Sequence, residues 1–387
     1  MNRKFVIASA LVLIALVSVT LFVTFRLTSR PASGREFYVG VEFAYGDQFS
    51  QVKALVDKVK DYTNLIVLGP PALSFNRTAL DQSVNYIYNS GLNFIVLFTS
   101  STMYNQSIGY PENNNIFDWM TNATTKYGNQ FLGVYRFDEP GGNQLDNGPS
   151  RLVFDNSSYD QVSQEYVSGL SLLINYYLAH GAPKVFTSDY GLEWFDYEAN
   201  YTAVFGEFVG NQSRPRIIAQ VRGAADSYGK DWGAIINWKY NQPPYLESGH
   251  DMYNDLSMAY SAGAKYAIIF SYSSPNTTDY GTLAPEHFEA LQNFWSNINK
   301  HPESFIPSKA EVAYVIPKDY GFGYRSQTDT IWGLFPNDTL SSKIYNDTVF
   351  LESLYDSHLN IIYNDPQLIA PTLNNYRQVY YWNQTVT

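Results

Sequence analysis

Phe131-Leu132-Gly133-Val134-Tyr135-Arg136-Phe137-Asp138-Glu139-Pro140 is an apolar run of strand length that stops in two adjacent carboxylates. Pro140 and then Gly141-Gly142 turn the chain away from it. A strand that ends in acids at the rim of a core is a common way to hold a proton donor. The spacing predicts strand 4 over Phe131–Phe137, and its neighbours in sequence repeat the pattern.

Working outward, apolar β-branched or aromatic runs alternate with amphipathic stretches of helical spacing. Strand 1 is expected at Phe37–Ala44, before a helix near Phe49–Tyr62 with Val52, Leu55, Val56 and Val59 on one face. Strand 2 is Asn64–Leu68, and its helix Ala79–Asn89 closes on Gly91. Strand 3 is Asn93–Phe98, with a helix near Ile116–Lys126. Beyond strand 4, a helix over Tyr159–Ala179 precedes strand 5 at Lys184–Ser188. A short irregular link leads to strand 6 at Ala203–Val209, and a helix near Ile217–Ala225 to strand 7 at Gly233–Trp238. A helix over Met252–Ser261 precedes strand 8 at Lys265–Ser271, and the helix Pro285–Asn299 follows it. Eight strand–helix units in about 265 residues predict a (β/α)₈ barrel over residues 36–302. An open doubly wound sheet is the alternative, but no G-x-G-x-x-G or Walker sequence follows strand 1. Residues 308–387 predict a small α/β module: a strand at Glu311–Ile316, a helix at Lys343–Tyr355, and strands at Asn360–Tyr363 and Val379–Trp382.

Residues 1–35 are of another kind. Phe5 to Phe25 is an uncharged run of 21 residues, close to the roughly 20 that span a bilayer. It is longer than the apolar region of a cleaved signal peptide, usually about 7–15 residues. One N-terminal transmembrane helix is therefore expected, with the bulk of the chain outside the cell; cleavage would make the protein secreted. Asn-X-Ser/Thr sequons begin at Asn76, Asn105, Asn122, Asn156, Asn200, Asn211, Asn276, Asn337, Asn346 and Asn383. They are candidate glycosylation sites, though a chain rich in Asn, Ser and Thr also makes sequons by composition.

Composition excludes several chemistries. The chain has 387 residues, 45% hydrophobic and 16% charged, with a net charge of −11. That acidity argues against a nucleic-acid partner, which needs clustered Lys and Arg. Cysteine is absent, so disulfides, thiolate metal sites and cysteine nucleophiles are excluded. The five histidines have no H-x-x-x-H or H-E-x-x-H spacing, and no G-x-S-x-G elbow occurs. No metal and no cofactor is expected.

What remains is acids and aromatics at strand ends, where a barrel carries its active groups. Strand 1 ends in Glu42, whose face includes Tyr38 and Gly40 while Val39 and Val41 face the helices. Strand 4 ends in Asp138 and Glu139, strand 5 in Asp189-Tyr190 with Glu193 and Trp194 beyond, and strand 6 carries Glu207. Strand 7 ends in Trp238-Lys239-Tyr240, and strand 8 in Tyr272. Two carboxyl groups cleave a glycosidic bond, and sugar rings lie on aromatic faces. Glu139 is the candidate proton donor, because the charge of Asp138 beside it raises its pKa. Glu207 or Asp189 is the candidate nucleophile or base. Glu42, Arg136, Asp138, Tyr190, Trp194, Trp238, Lys239 and Tyr272 are candidate substrate-binding residues. Against each stands the plain reading: a helix cap, a solvated loop charge or a core aromatic.

Gly133-Val134-Tyr135-Arg136-Phe137-Asp138-Glu139-Pro140 resembles strand 4 of retaining barrel glycosidases, where a glutamate before proline is the acid/base. Gly263 to Tyr272, with Gly281-Thr282-Leu283 and Glu286-His287-Phe288, resembles the eighth unit of such barrels. Val312 to Gly321 resembles the start of the glutamine-amidotransferase-like domain that follows the barrel in some β-galactosidases. Sequons, an anchor, no cysteine and few charges resemble, in style, archaeal cell-surface proteins. Two departures stand out. Those glycosidases have Asn where this chain has Asp138, and they carry the nucleophile at the end of strand 7, where the nearest acid here is Glu247. The sequence thus supports two functions: an extracellular, membrane-anchored glycoside hydrolase, or a non-catalytic glycan-binding barrel of the cell envelope.

Overall fold

Parallel strands buried on both faces are written as near-continuous apolar runs, and eight such runs close into one barrel in a computed structural model of the chain. It describes residues 35–98, 116–155, 158–239, 246–273 and 278–386. The apolar run Phe5–Phe25, the sequons at Asn105, Asn156 and Asn276, and Tyr240 lie outside the described residues. Among the described residues no helix is long and apolar enough to cross a membrane.

The strands are β1 Tyr38–Ala44, β2 Leu65–Leu68, β3 Asn93–Leu97, β4 Phe131–Tyr135, β5 Val185–Asp189, β6 Ala203–Phe208, β7 Asp231–Ile236 and β8 Tyr266–Tyr272. All neighbours are parallel, and β8 pairs with β1 to close the ring, Tyr38 opposite Tyr266. The helices are α1 Phe49–Val59, α2 Pro71–Ser74, α3 Arg77–Asn89, α4 Ile116–Tyr127, α5 Pro140–Leu145, α6 Tyr159–Ala179, α7 Glu193–Glu198, α8 Arg214–Tyr228, α9 Gly249–Ser261 and α10 Pro285–Lys300. Val52, Leu55, Val56 and Val59 are the buried face of α1, as their spacing predicts. The stretch read as an irregular link after strand 5 holds the short helix α7.

Period-two alternation divides the core. Tyr38, Leu65, Val67, Ile95, Leu97, Leu132, Tyr135, Phe186, Phe205, Ile235, Tyr266 and Ile268 fill the barrel. Val39, Val41, Val134, Val185, Val204 and Ile269 face the helices. One strand breaks the alternation. Phe94 pairs with Phe131 but Ile95 pairs with Gly133, so Leu132 is bulged out of register. Leu132 and Tyr135 therefore both point inward, three residues apart, and everything after the bulge changes face.

Beyond the barrel lies a three-stranded parallel sheet, β9 Val312–Ile316, β10 Leu359–Tyr363 and β11 Gln378–Tyr381, in the order β10-β9-β11. Helices α11 Thr339–Tyr355 and α12 Ile369–Leu373 connect its strands. The sheet docks on α8. Gly223 meets β10 so closely that a Cβ there would lie 2.2 Å from the carbonyl oxygen of Ile361. Buried beside it, Arg222 donates to Asn360 Oδ1 and to the carbonyls of Ser308, Ala262, Ser357 and Leu359 at 2.7–3.4 Å. A planar guanidinium has five N–H donors, and here they clasp the linker and β10 to the barrel.

Arg222→Ala orphans several buried carbonyls at once, each worth about 1–3 kcal/mol. Urea melts of the full chain should show it at least about 2 kcal/mol less stable than wild type. A loss under about half a kcal/mol, the range of an ordinary surface change, would mean that the clasp does not hold the sheet.

Candidate active site

The acids at the barrel mouth are positioned by β4, β5 and β6. After Tyr135 the chain stays tied to β5: Arg136 N donates to Phe186 O at 2.9 Å, and Glu139 N to Ser188 O at 3.2 Å. Thr187 Oγ1 holds Phe137 O at 2.6 Å, and Tyr201 Oη holds Arg136 O at 2.9 Å. Phe137 and Glu139 both sit in the left-handed region, at φ 61° and 50°. Each such non-glycine residue costs roughly 1–3 kcal/mol and persists where its surroundings fix it.

Glu139 occupies the N-cap position of α5, yet its side chain makes no capping bond. Asp189 caps the helix instead. Its Oδ2 accepts from Gly141 N at 2.7 Å, and its Oδ1 from Gly142 N at 2.8 Å and Tyr190 N at 2.8 Å. Pro140-Gly141-Gly142 is therefore the first turn of a helix, not a turn away from the strand. The glycines are there for close approach: a Cβ on Gly141 would lie 2.2 Å from Asp189 Oδ2, and one on Gly142 2.4 Å from the Tyr190 ring.

With capping done by Asp189, the Glu139 carboxyl is free to meet Glu207, and the two groups are in hydrogen-bond contact. Glu207 is buried on β6. Ser188 Oγ donates to its Oε1 at 2.6 Å, and Asn237 Nδ2 to its Oε2 at 2.9 Å. Tyr135 Oη reaches Ser188 Oγ at 2.6 Å and also donates to Asp138 Oδ1. Asp138 is open to solvent on one side of this network, and Glu42 is buried beneath it.

Crowding carboxyls in one bowl makes them hard to ionise. Burial, then the charge of Asp138, pushes Glu139 up to about 8. Burial, then Glu139 and Asp138, raises Glu207 as well. Burial followed by Asp138 raises Glu42. For Asp138 the protein around it raises the pKa, while bonds from Tyr135 and Ser188 oppose the rise. The contacting pair Glu139–Glu207 titrates as a unit and holds a proton near neutral pH.

Aromatics flank the mouth. Phe270 and Tyr272 stack at 5.3 Å on β8, and Trp238 meets Tyr272 edge-on at 5.5 Å. All three are partly exposed. Tyr190, on the other side, donates to Asp146 Oδ2 at 2.9 Å, and Glu139 contributes to raising its pKa, after burial. Lys239 is tied to Asp251 at 3.4 Å, in the first turn of α9.

Three of the sequence candidates are corrected. Asp189 is fully buried with both oxygens taken by backbone amides, so it is a helix cap and not an available nucleophile or base. Arg136 lies behind the bulge, hence outside the barrel, donating to Phe98 O at 2.8 Å and lying over the Tyr177 ring. Trp194 is buried against Tyr228 and Tyr363, at 5.2 and 5.1 Å, between barrel and C-terminal sheet. Glu247 is buried and paired to Arg214 at 3.3 Å. Ser188, Tyr135 and Asn237 were missed by sequence reasoning. Alternation carried the signal: with Phe186 inward on β5, Ser188 must face in and Asp189 out.

No family model matches the chain, and no curated protein matches it. Solved structures do. A GH5_18 variant from Bifidobacterium longum subsp. longum, in complex with Manb1-4GlcNAc, has a TM-score of 0.53 at 11% identity, over 90% of this chain and 96% of that one. A GH5_18 from Bifidobacterium longum subsp. infantis has a TM-score of 0.54 at 10% identity, over 90% and 97%. Alpha-L-fucosidase isoenzyme 2 from Paenibacillus thiaminolyticus has 0.50 at 10% identity, over 89% of this chain and 59% of that one. The neighbours are glycoside hydrolases, and the likeness is one of fold.

The raised pKa of Glu139 has a signed consequence for stability. Its folded value of about 8 exceeds the ordinary 4.5, so its contribution is present below pH 4.5 and lost as pH rises through 8. Glu139→Gln removes that loss. Thermal melts should place the variant above wild type at pH 8, with the gap closing towards pH 5. A gap that is constant with pH would show that Glu139 is not held neutral. Asp189→Ala, by contrast, should lower stability at every pH by about 1–2 kcal/mol, the loss of a cap.

Proposed function

We propose that this chain is a glycoside hydrolase that cleaves O-glycosidic bonds with Glu139 as acid/base and Glu207 as nucleophile. The observation that carries the reading is the contact of these two carboxyls at the barrel mouth, with Glu139 free of its capping duty. In hydrogen-bond contact the two carboxyls lie closer than either the retaining spacing of about 5–5.5 Å or the inverting gap of about 6.5–9.5 Å, so a bound sugar has to part them, and the retaining spacing is the smaller change. Glu207 attacks the anomeric carbon as Glu139 gives its proton to the departing oxygen. Water then attacks the glycosyl-enzyme, Glu139 takes its proton, and Glu207 leaves as carboxylate. Trp238, Phe270 and Tyr272 offer stacking faces for sugar rings. Asn237 and Ser188 steady the charge on Glu207.

A second reading rests on β7, whose inward end position is Asn237 and not an acid. On that reading the barrel binds glycans without cleaving them. The setting belongs to the proposal as well: an anchor at Phe5–Phe25 and the remainder outside the cell. The seven sequon asparagines among the described residues, Asn76, Asn122, Asn200, Asn211, Asn337, Asn346 and Asn383, are all exposed, as attachment of a glycan needs. The C-terminal sheet is read as a reduced amidotransferase-like module whose role is to brace the barrel.

The GH5_18 neighbour's bound Manb1-4GlcNAc makes β-linked mannosides and N-acetylglucosaminides the first substrates to screen. On a turned-over substrate, Glu139→Gln and Glu207→Gln should each lower kcat by about 10²–10⁴-fold. Activity should hold through neutral pH and fall above about 8, as Glu139 loses its proton. Turnover that survives both substitutions removes the pair from the mechanism; binding without turnover favours the second reading.

A further inference from the structure

Asp189, Glu193 and Asp196 are buried behind the mouth, on β5 and α7, each 2% exposed or less. The two-carboxyl mechanism gives none of them a reacting part. Asp189 and Asp196 are in hydrogen-bond contact, and two carboxyls meet in this way only with a proton between them. Geometry decides which of the two carries it. An ionised carboxylate has about four acceptor sites. On Asp189 the amides of Gly141, Gly142 and Tyr190 fill three of them, at 2.7–2.8 Å. Those amides are held by the backbone and can only donate, so they require the charge on Asp189. The remaining site is open to Asp196.

Asp196 has the complementary need. Its Oδ1 accepts from Tyr166 Oη at 3.2 Å, and no donor reaches its enclosed Oδ2. A proton on Oδ2, donated to Asp189, satisfies both carboxyls. The pair is closed off from the surface by the C-terminal module: Tyr166 and Phe195 pack on Trp332 at 5.4 and 4.5 Å. The titratable groups that face Asp196 are Asp189 on β5, Glu193 on its own helix, Tyr166 on α6 and Tyr201 beyond α7. Burial first, and then Asp189, raises the pKa of Asp196. Burial and Asp189 also push Glu193 up to about 8. For Asp189 burial is opposed by the bond from Asp196 and by the three amides. One negative charge is thus left among the three carboxyls at pH 7, at the first turn of α5.

We infer that Asp196 is a positioning residue: its proton, donated to Asp189, keeps the cap of α5 ionised and in place, and through that cap sets the direction of Glu139. The catalytic use of this proton rests on the glycosidase reading above; the protonation of Asp196 does not.

The test is infrared spectroscopy and thermal melting of the full chain, with Asp196→Asn and Asp196→Leu. A buried carboxylic acid has a C=O stretch apart from the carboxylate bands. At pH 7 Asp196→Asn should take one carboxyl's intensity out of that band. Asn donates to Asp189 through Nδ2 and still accepts from Tyr166, so this variant should melt at or above wild type. A folded pKa above the ordinary 3.8 means that the stability due to Asp196 is full below 3.8 and is lost as pH rises towards the folded value. The advantage of Asp196→Asn over wild type should therefore grow with pH. Asp196→Leu removes the donor and leaves Tyr166 Oη unpaired, so it should melt well below Asp196→Asn. On a turned-over substrate Asp196→Leu should lower kcat by about 10²-fold, the scale of a small misplacement of a reacting group, while Asp196→Asn keeps it. An unchanged acid band in Asp196→Asn, or an advantage constant with pH, overturns the inference. So does Asp196→Leu melting level with Asp196→Asn, since the donated bond would then hold nothing. Loss of the band without turnover of any substrate sinks the catalytic reading alone; turnover with the band unchanged sinks this inference alone.

Discussion

The bonds from Gly141 N and Gly142 N to the carboxylate of Asp189 are the constraint on which the mouth of this barrel depends. A helix that starts directly after a strand has unsatisfied amides, and the nearest acid ordinarily caps them. Here that acid would be Glu139. Because Asp189 reaches across from β5 and supplies the charge, Glu139 keeps a free carboxyl in a left-handed backbone that points it to Glu207. One acid is consumed structurally so that another is available chemically.

The same region is braced from outside. Gln144, in α5, donates to Trp332 O and Val153 O at 3.0 Å and accepts from Val153 N at 3.0 Å. Gly333 packs so closely on α5 that a Cβ there would lie 2.1 Å from Gln144 O. The loop after β9 thus holds the helix that follows Glu139, while Arg222 and Gly223 hold the sheet carrying that loop. The path from C-terminal sheet to proton donor is continuous and packed. It gives the module a physical role in the site even where it supplies no reacting group.

The barrel is legible in the sequence because the strands are near-continuous apolar runs whose few polar residues lie mostly towards their ends, bounded by turn residues or amphipathic helix. The pair Glu139–Glu207 was legible as strand-end acids facing one core. What misled was a single bulge and a single parity. The bulge at Leu132 is set by a register shift between β3 and β4, a pairing that no local pattern reveals, and it turned Arg136 outward. Asp189 looked equivalent to Glu207 as a strand-end acid, yet alternation from Phe186 puts it on the helix side. Trp194, a candidate substrate-binding residue by sequence, carries no local mark of its burial, because the docking of the C-terminal sheet, which covers it with Tyr363, is a long-range event. Asn237 carried no signal by itself; its meaning comes from Glu207 beside it on the next strand.

Neutron diffraction from crystals of the deuterated protein at pH 7 tests the division of labour among the acids most directly. The account requires an ionised Asp189 receiving deuterons from the amides of Gly141 and Gly142, and one deuteron between Glu139 and Glu207. A protonated Asp189, or a Glu139 carboxylate bonded to the amides of α5, would contradict it.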